Sequence, residues 1–430
     1  MACQAPCSPM ISHRIISLLG LLVLLGLAWV FSTHRRGINW RTVIWGTALQ
    51  LLFALLILKT APGRWIFTQL NDAVVVLLGF QDEGAQFVFG ALGIPAGQPG
   101  SMGFYFAFQV LTTIVFFSSL ISILYYLGFM QWIVHGFAWI MVRTCGTSGA
   151  ESLSASANIF VGQTEAPLLI KPYVAGMTRS ELLCVMTGGM ATVAGGVMAA
   201  YVRMLNPFFP DIAGHLMAAS VMSAPAALVM AKLLLPEMEK PHTLGTAKIP
   251  YKDPSVNLID AAANGATTGL QLALNVGAML VAFMSLLAMA NWGIQHIAGW
   301  FGHPEIGFDT LLGWLFAPLA WIMGVPWSDC DIVGRLMGQK TFLNEFVAYT
   351  NLAGYVAANP GEPLHYRSYV IATYALCGFS NFLSIGIQIG GIGALAPERR
   401  SDLAQLGLRA LLGGTLACFM TATIAGILVR

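Results

Sequence analysis

The side chains able to do chemistry in this 430-residue chain collect in two short stretches. The first is Gln163-Thr164-Glu165, inside the run from Asn158 to Pro172; the second is Asn344-Glu345. Each sets hydrogen-bonding groups beside a carboxylate, in surroundings otherwise apolar. A carboxylate near a bilayer midplane costs roughly 2.5–3.5 kcal/mol on insertion scales, so its presence there reads as functional. Gln163, Thr164 and Glu165 suit a neutral, heteroatom-rich solute, and Glu345 with Asn381 and Ser384 suits a polyhydroxyl such as a sugar. The Asn158 amide and the Thr192 hydroxyl, joined by unwound backbone carbonyls, would make an all-oxygen cage for a small hard cation. The chain carries no nucleophile–base constellation and no HExxH-type cluster, so neither catalytic residues nor a cofactor are expected. An intramembrane enzyme using Glu165 and Glu345 as acid and base is the distant alternative.

The elements that hold these stretches must be membrane helices. Hydrophobic residues make up 57% of the chain and charged residues 9%, with mean hydropathy +0.73. Soluble domains carry about 25% charged residues, so the class is an all-α polytopic membrane protein. The seven cysteines (Cys3, Cys7, Cys145, Cys184, Cys330, Cys377, Cys418) form no metal spacing and read as small core residues. No A-x-A cleavage site follows the first apolar run, so that run is expected to be a retained helix.

Eight spans are expected, at residues 15–31, 43–58, 104–127, 180–204, 213–235, 269–292, 368–391 and 403–428. An interfacial amphipathic helix is expected at 63–79, where Arg64, Asn71 and Asp72 oppose Trp65, Ile66, Leu70 and Val74. Short apolar segments lie at 132–141 and 311–325, and a polar turn at 257–264. Re-entrant hairpins are expected with arms at 150–161 and 166–174, and at 331–343 and 346–355. The fourth and seventh spans are interrupted at 192–196 and 377–381. Loops holding His34-Arg35-Arg36 with Arg41, Lys171 with Arg179, the lysines at 232, 240, 248 and 252, and Glu398-Arg399-Arg400 are placed in the cytoplasm. The N- and C-termini then lie outside, in the periplasm. Trp300 and Trp327 read as interfacial anchors, and solvation at a loop or hairpin base explains Asp260 and Glu151. Ala138-Trp-Ile-Met141 recurs as Ala320-Trp-Ile-Met323, and Glu165 and Glu345 lie nearly equally far downstream of the two copies. Charge topology makes these repeats inverted, the arrangement of many secondary transporters.

Three motifs carry a family resemblance: the run from Glu151 to Pro167, Asn344-Glu-Phe-Val-Ala-Tyr349, and Cys377-Gly-Phe-Ser-Asn-Phe-Leu-Ser-Ile385. Over nearly its whole length the chain resembles the concentrative nucleoside transporters, most of all the sodium-coupled bacterial members. The resemblance implies a homotrimer in the bacterial inner membrane with eight transmembrane helices, two re-entrant helical hairpins and an interfacial helix. It also implies elevator-type movement of a transport domain (132–212 and 308–397) against a scaffold (1–131 and largely 213–307), with 398–430 closing the chain. It places the nucleobase on Gln163, Thr164, Glu165 and Val197, and the ribose on Glu345, Asn381 and Ser384, with Phe379 against the nucleoside. It places sodium on the side chains of Asn158 and Thr192 and the carbonyls of Val161, Thr192 and Val193. The substrates implied are nucleosides such as uridine, cytidine and adenosine, with no nucleic acid partner. The chain departs from the pattern at Thr192, where members with this sodium site often have Ser, and around Phe382-Leu383-Ser384. Proton coupling through a glutamate such as Glu345 is the same-class alternative to sodium.

Overall fold

A computed structural model describes residues 8–245, 255–303, 305–359 and 364–429. Cys3, Cys7, Lys248 and Lys252 lie outside the described residues. The described secondary structure is helical apart from one isolated bridge between Ser148 and Leu244. The first half runs α1 (Ser8–Val30), α2 (Trp40–Lys59), α3 (Ala61–Phe89), α4 (Phe106–Gln109) and α5 (Leu111–Tyr126). It continues with α6 (Phe129–Cys145), α7 (Gly149–Ala157), α8 (Lys171–Val174), α9 (Arg179–Ala191) and α10 (Gly195–Leu205). The second half holds α11 (Ile212–Leu234), α12 (Leu258–Trp300), α13 (Phe308–Ile322) and α14 (Cys330–Phe342). It ends with α15 (Glu345–Ala358), α16 (Tyr366–Leu376), α17 (Phe382–Leu395) and α18 (Arg400–Leu428). Among the described residues seven helical segments are long and apolar enough to cross a membrane, and the broken pair α16–α17 makes the eighth crossing.

Several elements run further than the sequence suggested, for local reasons. The amphipathic helix α3 passes residue 79 and stops only at Gly90, whose φ of 58° ends it in a conformation costly for other residues. The polar turn at 257–264 is the start of the 43-residue α12, with Asn257 capping the Asp260 N–H. The second arm of the first hairpin is a 3-10 segment, Ala166–Ile170, followed by the single turn α8. Pro167 and Pro172 lack the N–H groups that a regular α-helix would use there.

Hydrogen bonds between loops fix the two faces of the molecule. On one face, Arg41 donates to the carbonyls of Arg143 and Thr144 at the base of the first hairpin. Thr33 N donates to Leu234 O, and Arg399 donates to Ala175 and Met177 O. The basic loops therefore gather on one side, as charge topology required. On the other face, Arg367 donates to Gly324 O (2.6 Å), Val429 O (3.0 Å) and Ser17 Oγ (2.8 Å). That cluster gathers α1, the turn before the second hairpin and the end of α18. The two hairpin bases thus lie on opposite faces, and the repeats are inverted.

Inside this frame α12 packs along α5, and α5 along α10. The buried helices α9, α11 and α18 pack on one another. Lys232, read from the sequence as a loop charge, lies buried in the last turn of α11. Glu151 is likewise not solvated: it is 1% exposed and pairs with Lys232 at 2.9 Å. A charge at a hairpin base must be paired there because protein, not water, surrounds it.

Candidate functional site

Both broken helices part at the same place. α9 ends at Ala191, and Thr192 turns extended (φ −130°, ψ 169°) before α10 begins at Gly195. α16 ends at Leu376, and Asn381 restarts the chain as the N-cap of α17, its side chain accepting from Ser384 N at 2.9 Å. The breaks touch: Phe379 N donates to Thr192 O (3.2 Å), and a Cβ on Gly378 would sit 2.8 Å from Met190 O. The hairpin tips close over them. Asn344 caps α15 through Val347 N (2.9 Å), which sets Glu345 at the first position of that helix.

Gln163, Thr164, Glu165, Val197, Glu345, Phe379, Asn381 and Ser384 all line one cavity of about 350 Å³. That volume suits a small heterocycle joined to a sugar. Gln163 bridges the two halves, donating to Ser384 Oγ (3.1 Å) and accepting from Gln388 Nε2 (3.0 Å). One oxygen of Glu345 accepts from Tyr201 Oη (3.1 Å) and the other from Asn381 Nδ2 (2.9 Å). The carboxylate is held from two sides and keeps lone pairs free for a hydroxyl donor. Glu165 differs: its Oε2 is buried without a hydrogen-bond partner and stays available as an acceptor.

Of the four residues read as ion ligands, Thr192 and the buried Val193 form the break between α9 and α10, Asn158 packs against the end of α9, and Val161 lines an adjoining cavity. Asn158 Nδ2 donates to Ser154 O (3.0 Å), while its Oδ1 is buried with no partner. Thr192 Oγ1 donates to Gly188 O (3.0 Å), which leaves its lone pairs free. Asn158 is also next to this segment, since a Cβ on Gly188 would sit 3.4 Å from Asn158 Nδ2. An unsatisfied amide oxygen beside a hydroxyl at the end of a helix is the chemistry a small cation needs. Val161 lines a neighbouring cavity of about 330 Å³ that shares Gly162, Glu165, Ala194 and Thr268 with the first. This second cavity runs to Ser255 and Asn264 at the start of α12, toward the face of the basic loops.

Several lining residues escaped the sequence reading. Tyr201 is fully buried and stacks on Tyr349 at 4.3 Å, an aromatic that reads as core until its hydroxyl partner is seen. Thr268, Gln271 and Asn275 also face the cavity. Their spacing along apolar α12 makes one polar stripe, the signal that would have found them.

Known family models match most of the chain. The model described as Na+ dependent nucleoside transporter N-terminus matches residues 19–92, and its C-terminus counterpart matches residues 215–426. A model described as nucleoside recognition matches residues 107–208. The structure "CNTnw in an inward-facing substrate-bound state" is 44% identical, with TM-score 0.89, covering 97% of this chain and 98% of that one. The chain belongs to the concentrative nucleoside transporter family. An uncharacterized transporter of Haemophilus influenzae is 45% identical over 96% of this chain and 97% of its own length. Mouse solute carrier family 28 member 3 is 45% identical over 97% of this chain, which spans 59% of that longer relative. The relatives of this nucleoside-transporter family member are carriers, not enzymes, so the intramembrane-enzyme alternative falls away.

Proposed function

We propose that this chain takes up nucleosides across a bacterial inner membrane in symport with sodium. The observation that carries the reading is the convergence of eight polar and apolar residues, from both tips and both breaks, on one cavity. Gln163, Thr164, Glu165 and Val197 hold the base. Glu345, Asn381 and Ser384 hold the ribose, with Phe379 packed against the nucleoside. Sodium sits on Asn158, Thr192 and the carbonyls of Val161, Thr192 and Val193, where the unpartnered Asn158 oxygen supports it. Loading of sodium beside the first tip favours the tip geometry that binds the nucleoside, so each ligand raises the affinity for the other.

The transport domain comprises 132–212 and 308–397, moving elevator-fashion against 1–131 and largely 213–307, within a homotrimer whose termini face the periplasm. Labelled uridine uptake into proteoliposomes tests the function. Accumulation against a gradient that stops when choline replaces sodium is expected. Accumulation that persists in choline at acid pH would replace the sodium reading with proton coupling.

A further inference from the structure

Two lysines are buried among the described residues, and they are treated differently. Lys232 meets the carboxylates of Glu151 (2.9 Å) and Glu237 (3.1 Å). Lys340, on the first arm of the second hairpin, is 0% exposed, and its Nζ donates to Ala375 O at 2.7 Å. No carboxylate of the described residues forms a direct ion pair with it, although Glu345 at the tip of the same hairpin feels its charge. A buried cation without a paired anion is costly unless the local field favours it.

The end of α16 supplies that field, because a helix C-terminus carries unsatisfied carbonyls and partial negative charge. The last four carbonyls of α16 are all served. Thr373 O accepts from Tyr349 Oη (2.8 Å), Tyr374 O from Cys377 N (3.3 Å) and Leu376 O from Gly378 N (2.9 Å). Ala375 O takes the Lys340 ammonium. At the matching end of α9, Gly188 O accepts from Thr192 Oγ1, but Gly189 and Met190 carbonyls receive no donor among the described residues. Ala375 and Met190 each stand two residues before the capping residue of their break, Cys377 and Thr192. The inverted repeats therefore present two equivalent negative helix ends in contact, and only the second holds a cation of its own.

We propose that the Lys340 ammonium is a cation built into the second helix break, serving the negative end of α16 as the sodium proposed at Asn158 and Thr192 serves the end of α9. The proposal rests on the sodium-symport reading above. A tethered charge keeps the second break folded throughout the cycle, while the first completes itself only when an ion arrives from solution.

Lys340→Gln and Lys340→Arg, assayed in proteoliposomes against the native chain, test this. In the Gln variant, uridine uptake at fixed sodium should fall about tenfold or more, and the sodium Hill coefficient should move from about 1 toward about 2 as a second ion takes the vacated place. The Arg variant should keep the native slope. A Gln variant that elutes as a single species on size exclusion and keeps the native sodium curve overturns the proposal. The Arg variant separates the proposal from misfolding: a native sodium curve in Arg beside an altered one in Gln supports it, and an Arg variant that folds but shows the altered curve overturns it. Absence of any sodium-driven uridine uptake by the native chain would instead overturn the functional reading beneath it.

Discussion

At the scale of single residues, Glu345 owes its usefulness to its two neighbours. Tyr201 and Asn381 each hold one oxygen, so the carboxylate presents its remaining lone pairs in a fixed direction. Hydrogen bonds to a charged group contribute about 1.5–3 kcal/mol. Tyr201→Phe should therefore raise the KM for uridine roughly tenfold, with little loss of melting temperature because the ring stacking on Tyr349 stays. An unchanged KM would remove Tyr201 from the binding machinery. Asn158→Ala should raise the sodium concentration for half-maximal uptake, since it deletes an unpartnered amide oxygen at the first break. Sodium titration of uridine uptake checks this, and an unaltered midpoint counts against Asn158 as a ligand.

At the scale of elements, each hairpin is fastened at its base and tuned at its tip. The first base is tied by Glu151, which caps its own helix through Ser148 N (2.7 Å) and pairs with Lys232 of α11. The second is tied by Asp329, which accepts from Ser368 Oγ (2.5 Å) and His365 N (3.0 Å) beside α16. Removing one partner of a buried pair costs about 3–5 kcal/mol. Lys232→Met should accordingly lower the melting temperature in detergent by several degrees, while Lys232→Met with Glu151→Gln recovers much of it. The crossing of the two breaks is equally tight. Gly378→Ala would push a methyl group against Met190 O and Cys418 Sγ, so uridine uptake should be lost even where the protein still assembles. Normal uptake by that variant would show that the breaks can separate without harm.

At the scale of the whole molecule, the cavity is asymmetric. It is walled by both tips, both breaks and the α12 stripe, and its neighbour leads toward the face of the basic loops. A carrier in this state opens to that side, and the elevator reading then requires the tips to slide along α5 and α12. Native mass spectrometry from mild detergent should give three copies per particle. A monomer or dimer that still transports would set aside the trimer.

Local spacing in the sequence was enough to place the spans, the two tips, the two interruptions and the inversion of the repeats. Apolar runs, prolines, glycines and loop charges act within a turn or two of themselves. Of the residues proposed for the nucleoside, the polar ones stand out because they interrupt apolar runs, whereas Val197 and Phe379 are named only by the family resemblance. What only the tertiary structure decided was partnership across long separations. Gln163 meeting Ser384, Tyr201 meeting Glu345, Glu151 meeting Lys232 and Lys340 meeting the end of α16 each join segments that no local pattern links. Glu151 and Lys232 were misread as solvated for that reason. In a buried site a charge is interpreted by what packs against it, and packing is the one property that spacing along the chain does not carry.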